Sequence, residues 1–280
     1  MSTTTICAVA PDRTKVFRYD GFGSSWTNIG GPGSQSHIQI TGGGWGLIAT
    51  AYGPDEYSYS GETGEWWLMT PTDGSDAGPR GQHVVTDDTV YKLIATVGGG
   101  NIYQFDGFDD SQPSWSWVRG TSRQAWGGGW GLIAQDPQPW DAHRYTGNPG
   151  DWDRISGDCF TFAIGPDAVY KIPNDKSAVY QYDGFGDSWT QIGGPASDID
   201  AGGWGLVATA PPEGNWDAYA YTGTPGVWRL IGGPRSAFLA ITDDTVYSMA
   251  PDGSGVYRYD GKGTSWTRIS GPVFQIAATS

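Results

Sequence analysis

Apolar and polar residues alternate in short segments along the whole chain, and Gly, Pro, Asp or Asn separates one segment from the next. The clearest segment is aromatic-x-aromatic-x-Gly, first seen at Phe17-x-Tyr19-x-Gly21. Its second ring recurs, at intervals of 37 to 46 residues, at Tyr59, Phe105, Tyr145, Tyr182, Tyr221 and Tyr259. Alternation with a period of two, bounded by turn residues, predicts β-strands, and no segment carries a helical period.

A tryptophan follows each of these rings, and an apolar residue comes three positions after the tryptophan. The tryptophans are Trp26, Trp66, Trp115, Trp152, Trp189, Trp228 and Trp266, with Trp115 displaced by the insertion Asp109-Asp110-Ser111. Two further strands precede each aromatic strand, as in His37 to Thr41 and Trp45 to Thr50. Each copy therefore predicts four short antiparallel strands, and seven copies fill residues 1–280. We predict a single domain, an all-β seven-bladed β-propeller.

The two ends of the sequence predict how the ring closes. The chain begins with a strand of the second type, Ile6 to Ala10, and finishes with a strand of the first type, Phe274 to Ala277. We expect the C-terminal strand to pair with the N-terminal strands in one blade, because that pairing removes the open edge of the ring.

The blades fall into two types. Even-numbered blades carry Gly-Gly-Trp-Gly-Leu around Trp45, Trp130 and Trp204. Most odd-numbered blades carry a Val-Tyr strand instead, containing Tyr91, Tyr170 or Tyr247. With seven blades the alternation must fail once, and it fails where the ends of the chain meet.

Charge and cysteine content narrow the possible partners. The formal net charge of −14 argues against nucleic acid and anionic membrane surfaces, which need clustered Lys and Arg. No apolar run approaches the roughly 18 residues of a membrane helix, and no signal peptide is visible, so a cytoplasmic protein and one secreted after removal of a leader both stay open. Cys7 and Cys159 fall on opposite sides of the predicted ring and are expected to be free thiols. The oligomeric state stays open.

Three sets of residues are candidates for ligand contact. Trp45, Trp130 and Trp204 either fill wedges between blades or offer indole platforms for sugar rings. Asp20, Asp106, Asp183 and Asp260 lie in turns between third and fourth strands, where a role in stabilising the turn is favoured over ligand binding. Trp140 and Trp216 lie in loops between second and third strands, which strand direction places on the opposite face of the ring.

Catalytic and metal-binding patterns are lacking. His37, His83 and His143 are scattered without metal-ligand spacing, and no glycine-rich segment precedes a helix as phosphate binding requires. The Asp-Asp pairs are interpreted as tight turns rather than calcium ligands. No sialidase-type arginine cluster can be assembled. The sequence therefore predicts no enzyme activity, no metal and no cofactor.

Two resemblances refine the prediction. The turn Tyr19-Asp20-Gly21-Phe22-Gly23-Ser24-Ser25-Trp26 resembles the Asp-box hairpin of sialidases and related propellers. The strand order and the runs Trp26-Thr27-Asn28-Ile29-Gly30 and Trp189-Thr190-Gln191-Ile192-Gly193 resemble the tectonin and tachylectin group of propeller lectins. That resemblance implies several similar sugar sites and a multivalent carbohydrate-binding protein whose partners are glycans. A protein-interaction scaffold is the alternative, and a glycoside-processing enzyme is a weaker one.

Overall fold

The computed structural model describes residues 4–33, 36–51, 53, 55–71, 81–110, 112–212, 216–233 and 238–279. These residues form 28 β-strands and no α-helix. The strands build seven sheets of four antiparallel strands each. This is the seven-bladed β-propeller that the repeats predict, with the first strand of each blade innermost.

The strand bounds follow the repeat closely. Blade 1 contains β28 (Gln275–Thr279), β1 (Thr5–Val9), β2 (Val16–Tyr19) and β3 (Trp26–Gly30). Blade 2 contains β4 (Gln39–Gly43), β5 (Gly46–Thr50), β6 (Glu56–Tyr59) and β7 (Trp66–Leu68). Blade 3 contains β8 (Gln82–Val85), β9 (Val90–Ile94), β10 (Gly100–Asp109) and β11 (Gln112–Ser122). Blade 4 contains β12 (Gln124–Gly128), β13 (Gly131–Gln135), β14 (Ala142–Tyr145) and β15 (Trp152–Ser156).

The last three blades repeat the same order. Blade 5 contains β16 (Thr161–Ile164), β17 (Val169–Ile172), β18 (Val179–Tyr182) and β19 (Trp189–Gly193). Blade 6 contains β20 (Asp198–Gly202), β21 (Gly205–Thr209), β22 (Ala218–Tyr221) and β23 (Trp228–Leu230). Blade 7 contains β24 (Phe238–Ile241), β25 (Val246–Met249), β26 (Val256–Tyr259) and β27 (Trp266–Ser270).

The ring closes in blade 1, where β28 pairs antiparallel with β1 in the register Thr5 opposite Thr279 and Val9 opposite Gln275. Ile6 and Ile276 are buried in one cluster with Tyr247 of blade 7. The predicted sharing of one blade by the two ends of the chain is confirmed.

The repeated tryptophans join neighbouring blades. Each indole is paired across strands with the second aromatic ring, as Trp26 is with Tyr19 at a ring separation of 5.1 Å. Six of the seven indoles donate a hydrogen bond to a carbonyl in, or directly after, the outer strand of the preceding blade, as Trp26 does to Ile269 at 2.9 Å. The seventh, Trp152, has no such partner in the described structure and lies under the Arg119 guanidinium. The motif therefore stabilises the contact between blades as well as the blade itself.

The glycine hairpins let inner strands approach each other closely. A side chain at Gly42 would place its Cβ 2.0 Å from the Ala278 carbonyl oxygen, and one at Gly128 would lie 2.1 Å from that of Ile164. Both distances are far below contact range. Glycine is therefore required where even blades meet their neighbours at the axis.

The predicted strand boundaries differ from the observed ones by up to two residues, and two of the differences have a clear cause. His37 has a φ of +62°, which a strand does not accommodate, so β4 begins at Gln39. The N–H of Trp45 donates to the Thr86 carbonyl of blade 3 instead of its own sheet, so β5 begins at Gly46. No helix long and apolar enough to cross a membrane occurs in the described part of the chain.

Candidate functional site

The two faces of the ring differ because strands alternate in direction. The turns that join strands one to two and three to four of each blade lie on one face, here called the turn face. The loops that join strands two to three, and one blade to the next, lie on the other, here called the loop face. The candidates Asp20 and Trp45 lie on the turn face, whereas Trp140 lies on the loop face, as predicted from strand polarity.

Two similar grooves open on the turn face between an odd blade and the even blade that follows it. The first groove, between blades 1 and 2, has a volume of about 720 Å³ and is lined by Cys7, Arg18, Asp20, Trp45 and Tyr59 among others. The second groove, between blades 3 and 4, has a volume of about 600 Å³ and is lined at the corresponding positions by Tyr91, Gln104, Asp106, Trp130 and Tyr145. The structure thus brings Asp20 together with Trp45, and Asp106 together with Trp130.

The remaining turn-face candidates are arranged differently. Asp183 of blade 5 and Trp204 of blade 6 flank the third junction of the same kind, where Tyr170 and Tyr221 meet edge to face at 6.5 Å. Asp260 faces blade 1, whose first two strands come from opposite ends of the chain and carry no glycine-tryptophan hairpin. The repeat therefore supplies three aspartate-tryptophan junctions, not four.

The groove tryptophans also pack between blades. Trp45, Trp130 and Trp204 are half-buried, and each meets an aromatic ring of the next blade edge to face. The contacts are Trp45 to Phe105 at 5.6 Å, Trp130 to Tyr182 at 5.9 Å and Trp204 to Tyr259 at 5.8 Å. The wedge interpretation thus accounts for one side of each indole. For Trp45 and Trp130, another part of the indole borders a groove.

Asp20 and Asp183 accept hydrogen bonds within their own turns. Asp20 accepts hydrogen bonds from the Ser25 hydroxyl at 2.6 Å and the Thr27 hydroxyl at 2.7 Å. Asp183 accepts the corresponding bonds from Ser188 and Thr190. These hydroxyls hold the pKa of both carboxyl groups below the ordinary value. Each oxygen keeps further lone pairs with which it can accept a ligand hydroxyl.

We expect Asp183→Ala to lower the melting temperature at neutral pH and to have no effect in strong acid. Because the Ser188 and Thr190 hydroxyls lower the pKa of folded Asp183 from 3.8, the unfolded chain takes up a proton more readily. The stabilisation is therefore complete above a pH of about 3.8 and is lost as pH falls through the lower folded value. Melting curves recorded by circular dichroism from neutral pH into acid test whether the melting temperatures of the variant and the unmodified protein become equal.

Removing the two hydroxyl donors provides the control for that measurement. Ser188→Ala with Thr190→Val should reproduce the loss, and adding Asp183→Ala to that pair should change little, because all three substitutions remove one network. A melting temperature for Asp183→Ala equal to that of the unmodified protein at neutral pH would contradict the assignment.

The loop face carries a separate set of aromatic groups. Trp140 and Trp216 occupy equivalent loops of blades 4 and 6, with exposures of 37% and 45% and φ values of +67° and +60°. Positive φ is uncommon for a bulky residue and is tolerated only where surrounding structure imposes it. Other exposed rings on this face, which the sequence did not single out, are Phe160, Phe238 and Phe274. The structure does not bring the loop-face and turn-face candidates together.

The two grooves present the same kinds of side chain. The sequence analysis did not include Tyr59 and Tyr145 among the candidates for ligand contact. The signal that marks them is their position as the second ring of an even-blade repeat. In both grooves an indole, a tyrosine, a carboxylate and a hydroxyl group (Ser60 or Thr146) line one recess. No group of His, Cys, Asp or Glu suited to holding a metal ion occurs among the described residues. Apolar ring surface beside hydrogen-bonding groups suits a ligand with one apolar face and several hydroxyls.

Comparison with known proteins shows the fold. No protein-family model matches the chain, and no curated protein matches it significantly. A chain in the crystal structure of Kap60 bound to yeast RCC1 (Prp20) is similar, with a TM-score of 0.60 at 12% identity over 96% of this chain and 83% of that one. A putative 6-phosphogluconolactonase from Bacteroides fragilis NCTC 9343 gives 0.55 at 9% identity over 100% and 99%. TolB from Acinetobacter baumannii gives 0.50 at 13% identity over 99% and 66%, so the chain spans just under two thirds of TolB.

These similarities establish the propeller and nothing finer. The three proteins differ in what their names describe, and identities of 9 to 13% show the fold alone. A shared propeller carries unrelated functions on different loops and grooves. Function must therefore be inferred from the grooves themselves.

Proposed function

We propose that the protein is a multivalent carbohydrate-binding protein whose sites are the turn-face grooves between odd and even blades. The observation that carries the proposal is the repetition of one recess, with Asp20, Trp45 and Tyr59 in the first groove and Asp106, Trp130 and Tyr145 in the second. The resemblance of the repeat to tectonin and tachylectin lectins supports it.

The physical basis is the amphipathic character of a sugar ring. A pyranose presents C–H groups that can lie on an indole or phenol ring, while its hydroxyls bond to carboxylates. A single shallow site binds weakly, but several sites on one rigid ring raise avidity towards a glycan-coated surface by about 10²–10⁴. The rigid spacing of blades supplies that repetition.

We expect the protein to bind a subset of glycans on an array, and Gln104→Trp and Trp130→Ala to weaken that binding. Gln104→Trp adds bulk in the second groove without removing a packing contact, so its effect is separable from loss of the Trp130–Tyr182 contact. Trp140→Ala, on the loop face, is the matched control and should bind as before. Circular dichroism confirms that each variant is folded.

Two results on the array would count against the proposal. Absence of binding to every glycan, with the protein folded, would overturn the proposal. Equal binding by Gln104→Trp, Trp130→Ala and Trp140→Ala would remove the second groove as a site. That the protein binds a glycan without cleaving it stays a prediction, which chromatography of oligosaccharides after incubation tests.

The exposed aromatic groups of the loop face favour a second candidate, a protein-interaction scaffold. Trp140, Trp216, Phe160, Phe238 and Phe274 lie in blades 4 to 7 and 1. Exposed aromatic groups in number mark interaction surfaces. This candidate is favoured over a lectin if the protein forms a stable complex with a protein partner that free sugars do not displace and Trp216→Ala weakens.

A further inference from the structure

The two grooves differ at one cross-strand pair. In blade 1, Cys7 of β1 lies directly opposite Arg18 of β2. In blade 3 the same two positions hold Tyr91 and Gln104. The pair is Tyr170 with Gln181 in blade 5 and Tyr247 with Arg258 in blade 7. Blade 1 alone combines a small residue with an arginine at these positions.

The small residue gives the first groove more room. At the second groove the ring of Tyr91 meets that of Tyr145 edge to face at 6.1 Å and so fills the base of the junction. Cys7 is buried in the corresponding place and leaves Tyr59 without that neighbouring ring. The volume of the first groove is about 720 Å³ and that of the second about 600 Å³.

The arginine gives the first groove a positive charge that no described residue pairs directly. None of the ion pairs or side-chain hydrogen bonds among the described residues includes the Arg18 guanidinium. Arg258, at the same position in blade 7, lies 3.9 Å from Asp244.

The charge of Arg18 acts across the first groove. Burial raises the pKa of Tyr59 on blade 2, and the positive charge of Arg18 opposes that rise. The second groove has the opposite character, because neutral Gln104 lies there with the carboxylates of Asp88 and Asp106.

We propose that the first groove binds a sugar that carries a carboxylate, such as a uronic or sialic acid, and that the second groove takes neutral sugars. This inference rests on the proposed carbohydrate-binding function. A guanidinium recognises a carboxylate through two parallel hydrogen bonds, which gives both strength and orientation. Arg18 supplies that fork, and the space beside Cys7 admits the additional group.

Asp20 lies in the same groove, and the charge of Arg18 contributes to lowering its pKa, but the two side chains form no direct ion pair. The two Asp20 oxygens accept the Ser25 and Thr27 hydroxyls, at 2.6 and 2.7 Å, and Asp20 makes no ion pair with Arg18 within 4.0 Å. Because Asp20 is held by the hydroxyls of its own turn and not by Arg18, the arginine keeps its hydrogen-bonding capacity for a ligand.

The test compares acidic glycans with their neutral counterparts, on arrays and by NMR titration with D-glucuronic acid and D-glucose. We expect the unmodified protein to bind acid-bearing glycans. Arg18→Gln, which copies the second groove, should weaken that binding roughly tenfold or more while leaving neutral glycans unaffected. Arg258→Gln is the matched control and should change neither. Cys7→Tyr, which copies blade 3, should also lose acidic glycans.

A gain-of-function variant tests the same pair of positions even if Cys7→Tyr does not fold. Tyr91→Cys with Gln104→Arg transfers the pair to the second groove and should strengthen binding of acidic glycans. If neutral glycans bind and acidic ones do not, or if Arg18→Gln binds acidic glycans unchanged, this inference is overturned while the lectin proposal stands. If no glycan of either class binds, both fall.

Discussion

Replacing Lys92 by methionine is expected to lower the free energy of unfolding by about 3–5 kcal/mol. The Lys92 ammonium lies 2.8 Å from a Glu56 carboxylate oxygen, and both side chains are fully buried between blades 2 and 3. Methionine keeps most of the volume but leaves the carboxylate without this partner. Guanidinium-induced unfolding followed by tryptophan fluorescence measures the loss.

The surroundings of Glu56 explain why one substitution should cost so much. Burial opposes ionisation of Glu56, yet His83 and Lys92 bring its pKa below the ordinary value, so the buried group is charged. The His83 Nε2 atom lies 3.4 Å from the other carboxylate oxygen, but neither of these two atoms has a hydrogen-bond partner in the described structure. A direct hydrogen bond to the carboxylate therefore depends on Lys92.

Two variants separate charge from packing. Lys171→Met changes the corresponding lysine of blade 5, which bonds the Ser156 hydroxyl at 2.7 Å and has Ala142 in the place of Glu56, so its effect should be smaller. Glu56→Leu with Lys92→Met removes both charges and should recover most of the stability. If Lys92→Met and Lys171→Met cost the same, the buried ion pair is not the cause.

The sequence predicted the repeated parts of this architecture and missed what depends on a single pair. Blade number, strand order and closure follow from recurrence, and each apolar residue three places after a repeated tryptophan is buried, from Ile29 to Ile269. The pair of Glu56 and Lys92 was not visible, because their strands belong to different blades and either charge alone suggests a surface position. Only the ring brings them together.

The sequence predicted the placement of the candidate residues but not the difference between the two grooves. The opposite placement of Trp45 and Trp140 follows from strand direction alone. That Asp20 and Trp45 share a groove follows from the order of blades, since blades 1 and 2 are neighbours and both residues lie in turns of the same face. The special character of the first groove depends on Cys7 lying opposite Arg18, which is a matter of register between two strands. A search for recurring residues passes over it because it occurs once.

Deleting residues 274–280 is expected to abolish the cooperative folding of the ring. The deletion removes β28, the inner strand of blade 1, and with it five paired residues and the buried Ile276. It also removes Gln275, whose side-chain amide bonds both the N–H and the carbonyl of Ile40 in blade 2. The loss of apolar burial and strand pairing is on the order of 5 kcal/mol or more, comparable with the whole stability of a typical domain.

A circular permutant is the matched control, because it moves the break in the chain without deleting a residue. Thr5 lies opposite Thr279, so joining Ser280 to Met1 makes a short hairpin between β28 and β1, and new ends can be placed between Val273 and Phe274. The permutant should melt cooperatively near the temperature of the unmodified protein, whereas the truncated chain should show no cooperative transition by calorimetry. Cooperative melting of the truncated chain at an unchanged temperature would show that six blades hold together without the shared sheet. If the permutant did not melt cooperatively but the truncated chain did, the stabilising contact would lie in the connection from β27 and not in the pairing of β28 with β1.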